Sequence, residues 1–145
     1  MATALPKTLP KALQEINRNP TGKIMGIRRI KVGPRMSQAV VQGNVVHTAG
    51  QVALNAAGEG AAEQTKDILA AIDSLLAEAG TDKSNLLTAN IWLSDMADFK
   101  AMNEVWDAWV VKGNTPTRAC VESKLAAPQF NVEIAVTAAI TSAIE

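Results

Sequence analysis

The chain has 145 residues, enough for one domain with a sizeable core, and its 48% apolar content marks it as globular rather than disordered. Fourteen basic residues balance fourteen acidic ones, so no field of one sign draws in nucleic acid or an anionic membrane. One cysteine excludes an intrachain disulfide, one histidine beside it argues against a zinc site, and no apolar run approaches the ~20 residues of a membrane span.

Residues 1–25 carry three prolines and scattered charges and read as an N-terminal extension, with room for a short helix around Lys11 to Asn17. The opening MATALPKTLPKALQEINRNPTGK has no long apolar stretch, so no secretory signal is expected and a cytoplasmic protein is the simplest reading. The domain proper is expected over 26–145. Ile27 to Val32 suits a strand, and SQAVVQGNVVHTAGQVAL reads as two further strands broken at Gly43-Asn44, a hairpin signal. Gly50 interrupts the second of these, which marks a bulge or a close approach to the backbone.

Gly58 to Gly80 predicts the clearest helix. Ile68, Leu69, Ile72, Leu75, Leu76 and Ala79 recur at helical spacing, and Gly80 ends the run. Leu86 to Leu93 predicts a core strand. Ser94-Asp95 can cap a second helix that reaches about Val111, with Phe99, Met102, Trp106, Trp109 and Val110 on its apolar face. Two last strands follow, Arg118 to Ser123 and Val132 to about Thr141. The order β-β-β-α-β-α-β-β predicts an α+β fold, one mixed sheet with two helices on one face. The other face is left bare and apolar enough to want a partner, which points to an oligomer.

Arg118 and Glu133 stand inside the last two strands. Alternation puts Arg118, Cys120 and Glu122 on one face of their strand. In the last strand it sets Glu133, Ala135 and Thr137 opposite the apolar set Val132, Ile134, Val136 and Ala138. Arg118 and Glu133 are both expected to point away from the helices. There they form either a structural ion pair between subunits or two ends of a site. Asn103 falls between Phe99 and Trp106 in angular position, as a satisfied core amide or as a hydrogen bonder to a ligand. Cys120 beside Arg118 is either a nucleophile or a small residue lining a pocket. The tryptophans read as core or interface anchors and His47 as a structural strand residue.

HTAGQVAL (His47 to Leu54), DFKAMNEVWDAW (Asp98 to Trp109) and TPTRACVES with NVEIAV together resemble the Rid family, the reactive intermediate deaminases, over about residues 26–142. The resemblance implies a chorismate-mutase-like fold and a homotrimer whose sheets form a central barrel, with sites in clefts between subunits. It implies hydrolysis of enamine or imine carboxylates, such as 2-aminoacrylate or 2-iminobutanoate, to a 2-keto acid and ammonia without cofactor or metal. By position, Arg118 matches the arginine that binds the substrate carboxylate and Glu133 the glutamate that positions water. Asn103 and Cys120 match pocket residues, and Gly50 matches the glycine of a bulge lining the pocket. The turn GPRMSQ (Gly33 to Gln38) departs from the GPYSQ-like form of many members and places Met36 where their tyrosine stands. Ala135 stands where a further glutamate is common. A related deaminase of a specialised degradation pathway, or a non-catalytic trimer binding a small carboxylate or a protein, fits these departures.

Overall fold

The computed structural model describes residues 26–141, so the expected extension and its short helix lie outside the described residues. Among the described residues there are seven strands and two α-helices, one strand more than expected, because the second hairpin strand is split in two at Ala49-Gly50. They are β1 (Ile27–Val32), β2 (Ser37–Gln42), β3 (Val45–Thr48), β4 (Gln51–Val52), α1 (Ala61–Ala79), β5 (Leu86–Leu93), α2 (Phe99–Trp109), β6 (Thr117–Glu122) and β7 (Val132–Ala139). All belong to one mixed sheet of order β1-β2-β3-β7-β5-β6, with β4 pairing β7 beyond the end of β3. Only β5 and β6 run parallel, joined by α2, and every other pairing is antiparallel. The architecture is the expected α+β sheet with its two helices on one face.

Local chemistry accounts for the boundaries. The β2–β3 turn has Gly43 at φ +58, and no left-handed Asn44 follows it, the pattern of a two-residue II′ hairpin. Gly80 ends α1 in the left-handed region at φ +91, and its N–H reaches back to Ala77 and Leu76 carbonyls. The second helix begins later than Ser94-Asp95 suggests. Asp95 caps a 3-10 turn at Met96–Asp98, its carboxylate accepting from Ala97 N–H at 2.8 Å, and the α-helix opens at Phe99.

All six residues of the α1 stripe are buried. They pack on Val132, Ile134, Val136 and Ala138 of β7, which are also buried as alternation required, together with Ile91, Val46 and Ile30. Two polar residues of α1 are buried as well. The Gln64 amide donates to Glu59 and Gln129 carbonyls at 2.8 and 3.0 Å and accepts from Asn131 N–H at 2.8 Å, so it ties the β6–β7 loop to the helix start with its polar atoms satisfied. Among the described residues, the opposite sheet face carries no helix. Val40, Val45, Trp92 and Ala135 are half-buried there, and Val121 is 50% exposed.

One expectation about this sheet is overturned. Residues paired across a ladder share a face. Ala89 of β5 pairs with Arg118 of β6 and with Val136 of β7, whereas Trp92 pairs with Val121 and Glu133. Arg118 therefore lies on the helix side and Glu133 on the bare side. Alternation within β6 could not reveal this, because β6 is an edge strand exposed on both faces and offers no apolar side to choose.

Candidate functional site

The sequence-predicted residues fall into two groups. The first surrounds Arg118 at the sheet edge. Its Nη1 donates to Asn103 Oδ1 at 2.7 Å. Its Cζ lies 5.8 Å from the centroid of Phe99 and 5.5 Å from that of Trp106. Phe99, Asn103 and Trp106 stand at i, i+4 and i+7, so one stripe of α2 meets the guanidinium. The amide set among aromatics is thus satisfied, and its partner is the arginine. Reading Phe99 and Trp106 only as core anchors missed their second contact. The signal was present in the stripe itself, an amide framed by two aromatics opposite an edge-strand arginine.

Cys120 shares the Arg118 face, since Ile91 pairs with it as Ala89 does with Arg118. Burial pushes its thiol above the ordinary value, and the Arg118 charge offsets this only in part. A nucleophile needs the reverse shift, so the half-buried Cys120 lacks the mark of an activated thiol.

The second group surrounds Glu133 on the bare face. Between β3 and β4 the chain bulges at Ala49-Gly50. The bulge is secured by Gln51, whose Nε2 donates to Gln38 Oε1 at 3.0 Å and to the Ala49 carbonyl at 3.1 Å. Thr48 Oγ1 accepts the Val136 N–H at 3.0 Å, a bond to the ladder that the bulge interrupts. Gly50 has no positive φ and is needed for space. A Cβ there would lie 2.5 Å from Glu133 Oε2 and 2.9 Å from its Cδ. The backbone therefore presses against the carboxylate, as the sequence suggested of something approaching Gly50 closely. Glu133 is half-buried and has no ion-pair partner among the described residues.

Met36 lies in the β1–β2 turn, closed by Gly33 N–H donating to the Met36 carbonyl at 2.8 Å, and its side chain is 53% exposed. This turn stands at the same end of the sheet as the bulge, since Gln38 bonds Ala49 and Gln51. Met36, Gly50 and Glu133 thus belong to one end, and Arg118, Asn103 and Cys120 to the far edge and opposite face. One chain does not bring the two groups together. A cleft of about 680 Å³ lies instead between Ser94, Glu122 and the 123–130 loop, at the carboxyl ends of the parallel pair β5 and β6. Among the described residues no three His, Cys, Asp or Glu side chains gather into a set that could hold a metal, and no helix is long and apolar enough to cross a membrane.

One mixed sheet with two helices on one face, a bulged third strand and an edge arginine defines an α+β protein of the YjgF type. The chain belongs to the Endoribonuclease L-PSP family, whose profile matches residues 26–140 and which includes the Rid proteins it resembles in sequence. It is 46% identical over 114 residues to a RutC family protein of Haemophilus influenzae, covering 79% of this chain and 98% of that one. It matches the crystal structure of a YjgF family protein from Neisseria meningitidis with TM-score 0.79 and 51% identity, over 82% of this chain and 98% of the other. A more distant relative from Rattus norvegicus, 31% identical over 91 residues, or 59% of this chain and 66% of that protein, bears the name 2-iminobutanoate/2-iminopropanoate deaminase.

Proposed function

We propose that the protein hydrolyses reactive enamine or imine carboxylates to 2-keto acids and ammonia, at sites formed between the subunits of a homotrimer. The observation that carries this reading is the pair of unneutralised groups. Arg118 has no carboxylate partner among the described residues, and half-buried Glu133 has no cation. Glu133 is partly desolvated, and such a charge is costly unless a ligand or another subunit supplies a counter-ion, while Arg118 is exposed and open to an anionic ligand. Because the two lie on opposite faces of one sheet, a site using both takes Arg118 from one chain and Glu133 from its neighbour. The bare sheet face, with Val40, Val45, Trp92, Ala135 and Val121, is the surface that such association covers. The name of the rat relative supports the reaction class.

The chemistry asks for little machinery. The guanidinium holds the substrate carboxylate through parallel hydrogen bonds and fixes the adjacent C=N carbon. The Cys120 and Asn103 side chains bound the space beside it. An enamine first tautomerises to its imine. Glu133 orients a water and accepts its proton as the oxygen adds to the imine carbon. That proton passes to nitrogen to give a carbinolamine; the hydroxyl proton then moves to nitrogen through Glu133 as the C=O bond forms, the C–N bond breaks, and ammonia leaves with the keto acid behind. General base assistance contributes a factor of ~10²–10⁴, and fixed orientation contributes more.

The test generates 2-iminopropanoate or 2-iminobutanoate with an amino-acid oxidase and follows imine loss. Acceleration by the full chain, abolished in Arg118→Ala, is expected; no acceleration by a folded oligomer sinks the reading. Met36 favours a second reading, since an exposed thioether replaces the phenolic hydroxyl of many members and the chain has no tyrosine. In that reading the same cleft binds a small carboxylate without turning it over. Calorimetry with pyruvate and 2-oxobutanoate separates the two, because tight binding without hydrolysis is its signature.

A further inference from the structure

We infer that Phe99 and Trp106 are positioning residues that orient Arg118 for edge-on capture of the substrate carboxylate. This rests on the reading of Arg118 as the carboxylate clamp. An arginine on an exposed edge strand would ordinarily sweep through many rotamers, and a clamp must not. Three contacts restrain this one, and all come from one stripe of α2. Asn103 Oδ1 takes Nη1 at 2.7 Å, while the rings of Phe99 and Trp106 stand 5.8 and 5.5 Å from Cζ. An aromatic ring attracts a cation through its face and offers no competing acceptor, so the rings restrain the guanidinium without consuming its donors. Nε and Nη2 keep no hydrogen-bond partner among the described residues. That edge presents two parallel N–H bonds, the geometry a carboxylate accepts.

The two rings are not equivalent. Trp106 is almost fully buried and also packs against Trp109, the rings tilted at 50° with centroids 5.4 Å apart, so changing it disturbs the core. Phe99 is 37% exposed at the first turn of α2 and can be changed with less disturbance.

The experiment compares the full chain with Phe99→Leu and Phe99→Tyr. Leucine keeps apolar bulk and loses the ring; tyrosine keeps the ring. An exposed cation–π contact is small, so Phe99→Leu is expected to raise KM for the imine about two- to five-fold while kcat stays within about twofold. Phe99→Tyr restores KM. An unchanged KM in Phe99→Leu overturns the inference, as does a fall in kcat alone. A second measurement does not depend on activity. Side-chain NMR of ligand-free protein is expected to show hindered guanidinium rotation for Arg118 in the wild type and averaged signals in Phe99→Leu. Averaged signals in both overturn the inference. If the wild type hydrolyses no imine, the functional reading has failed, and the NMR comparison alone judges the role of the rings.

Discussion

Arg118 and Glu133 cannot belong to one site within one chain, because the pairing of Ala89 with Arg118 and of Trp92 with Glu133 sets them on opposite sheet faces. Subunit mixing tests this directly. Arg118→Ala and Glu133→Gln are each expected to be inactive as pure proteins. Co-expressed with different tags, they assemble mixed oligomers. Each site then draws its arginine from one chain and its glutamate from the next. In a trimer holding both kinds of chain, one of the three junctions takes its arginine from the Glu133→Gln chain and its glutamate from the Arg118→Ala chain. Imine hydrolysis should therefore return to about a third of wild type in the doubly purified mixture. The double variant Arg118→Ala/Glu133→Gln, mixed with wild type, controls for assembly. If the mixed oligomer forms and shows no more activity than its parents, the inter-subunit site is refuted. Activity retained by either pure variant refutes the role of that residue instead.

Gly50→Ala places a Cβ 2.5 Å from Glu133 Oε2 and 3.2 Å from its Cγ, so the carboxylate must swing away. The melting transition is expected to change little, since the carboxylate can swing aside, while activity falls about 100-fold; unaffected activity refutes the claim that Gly50 sets the position of Glu133. Because burial raises the Cys120 thiol while the Arg118 charge lowers it, iodoacetamide should react slowly at neutral pH and rise with a midpoint above that of an ordinary thiol. Arg118→Ala should move that midpoint higher still; a lower midpoint contradicts the assignment. Asp82 caps the 3-10 turn before β5, and the Ser84 hydroxyl and then the Ser84 N–H at 2.8 Å hold its carboxyl below its ordinary value. A depressed pKa contributes stability that is present above the unfolded value near ~4 and is lost as pH falls through the folded value. The stability gap between wild type and Asp82→Ala should therefore shrink below about pH 4, and it should be small, since Asp82 is exposed. A gap that widens in acid contradicts this.

Much of the molecule was legible in the sequence because its signals are local. The α1 stripe from Ile68 to Ala79 and the alternation of Val132, Ile134, Val136 and Ala138 each name the side that must leave water, and the burial follows. Gly43-Asn44 and Gly80 are read from backbone chemistry that needs no partner. Gly50 was flagged as a close approach without its cause, since the carboxylate that fills its missing Cβ lies 83 positions along the chain. The second helix opened a few residues late because Asp95 caps a 3-10 turn first.

Residue types determined by themselves what could act here: Arg118 and Glu133 in the last two strands, an amide within an aromatic stripe, and a lone thiol. Only the tertiary structure decided how they are arranged. Strand alternation is a parity, and parity has no sign until a ladder fixes the register to a neighbour of known orientation. For β7 the apolar set supplied that sign. For β6, exposed on both faces, it came only from the parallel pairing with β5. That pairing turns Arg118 toward α2 and away from Glu133, so the two residues expected on one face stand on opposite faces of the sheet.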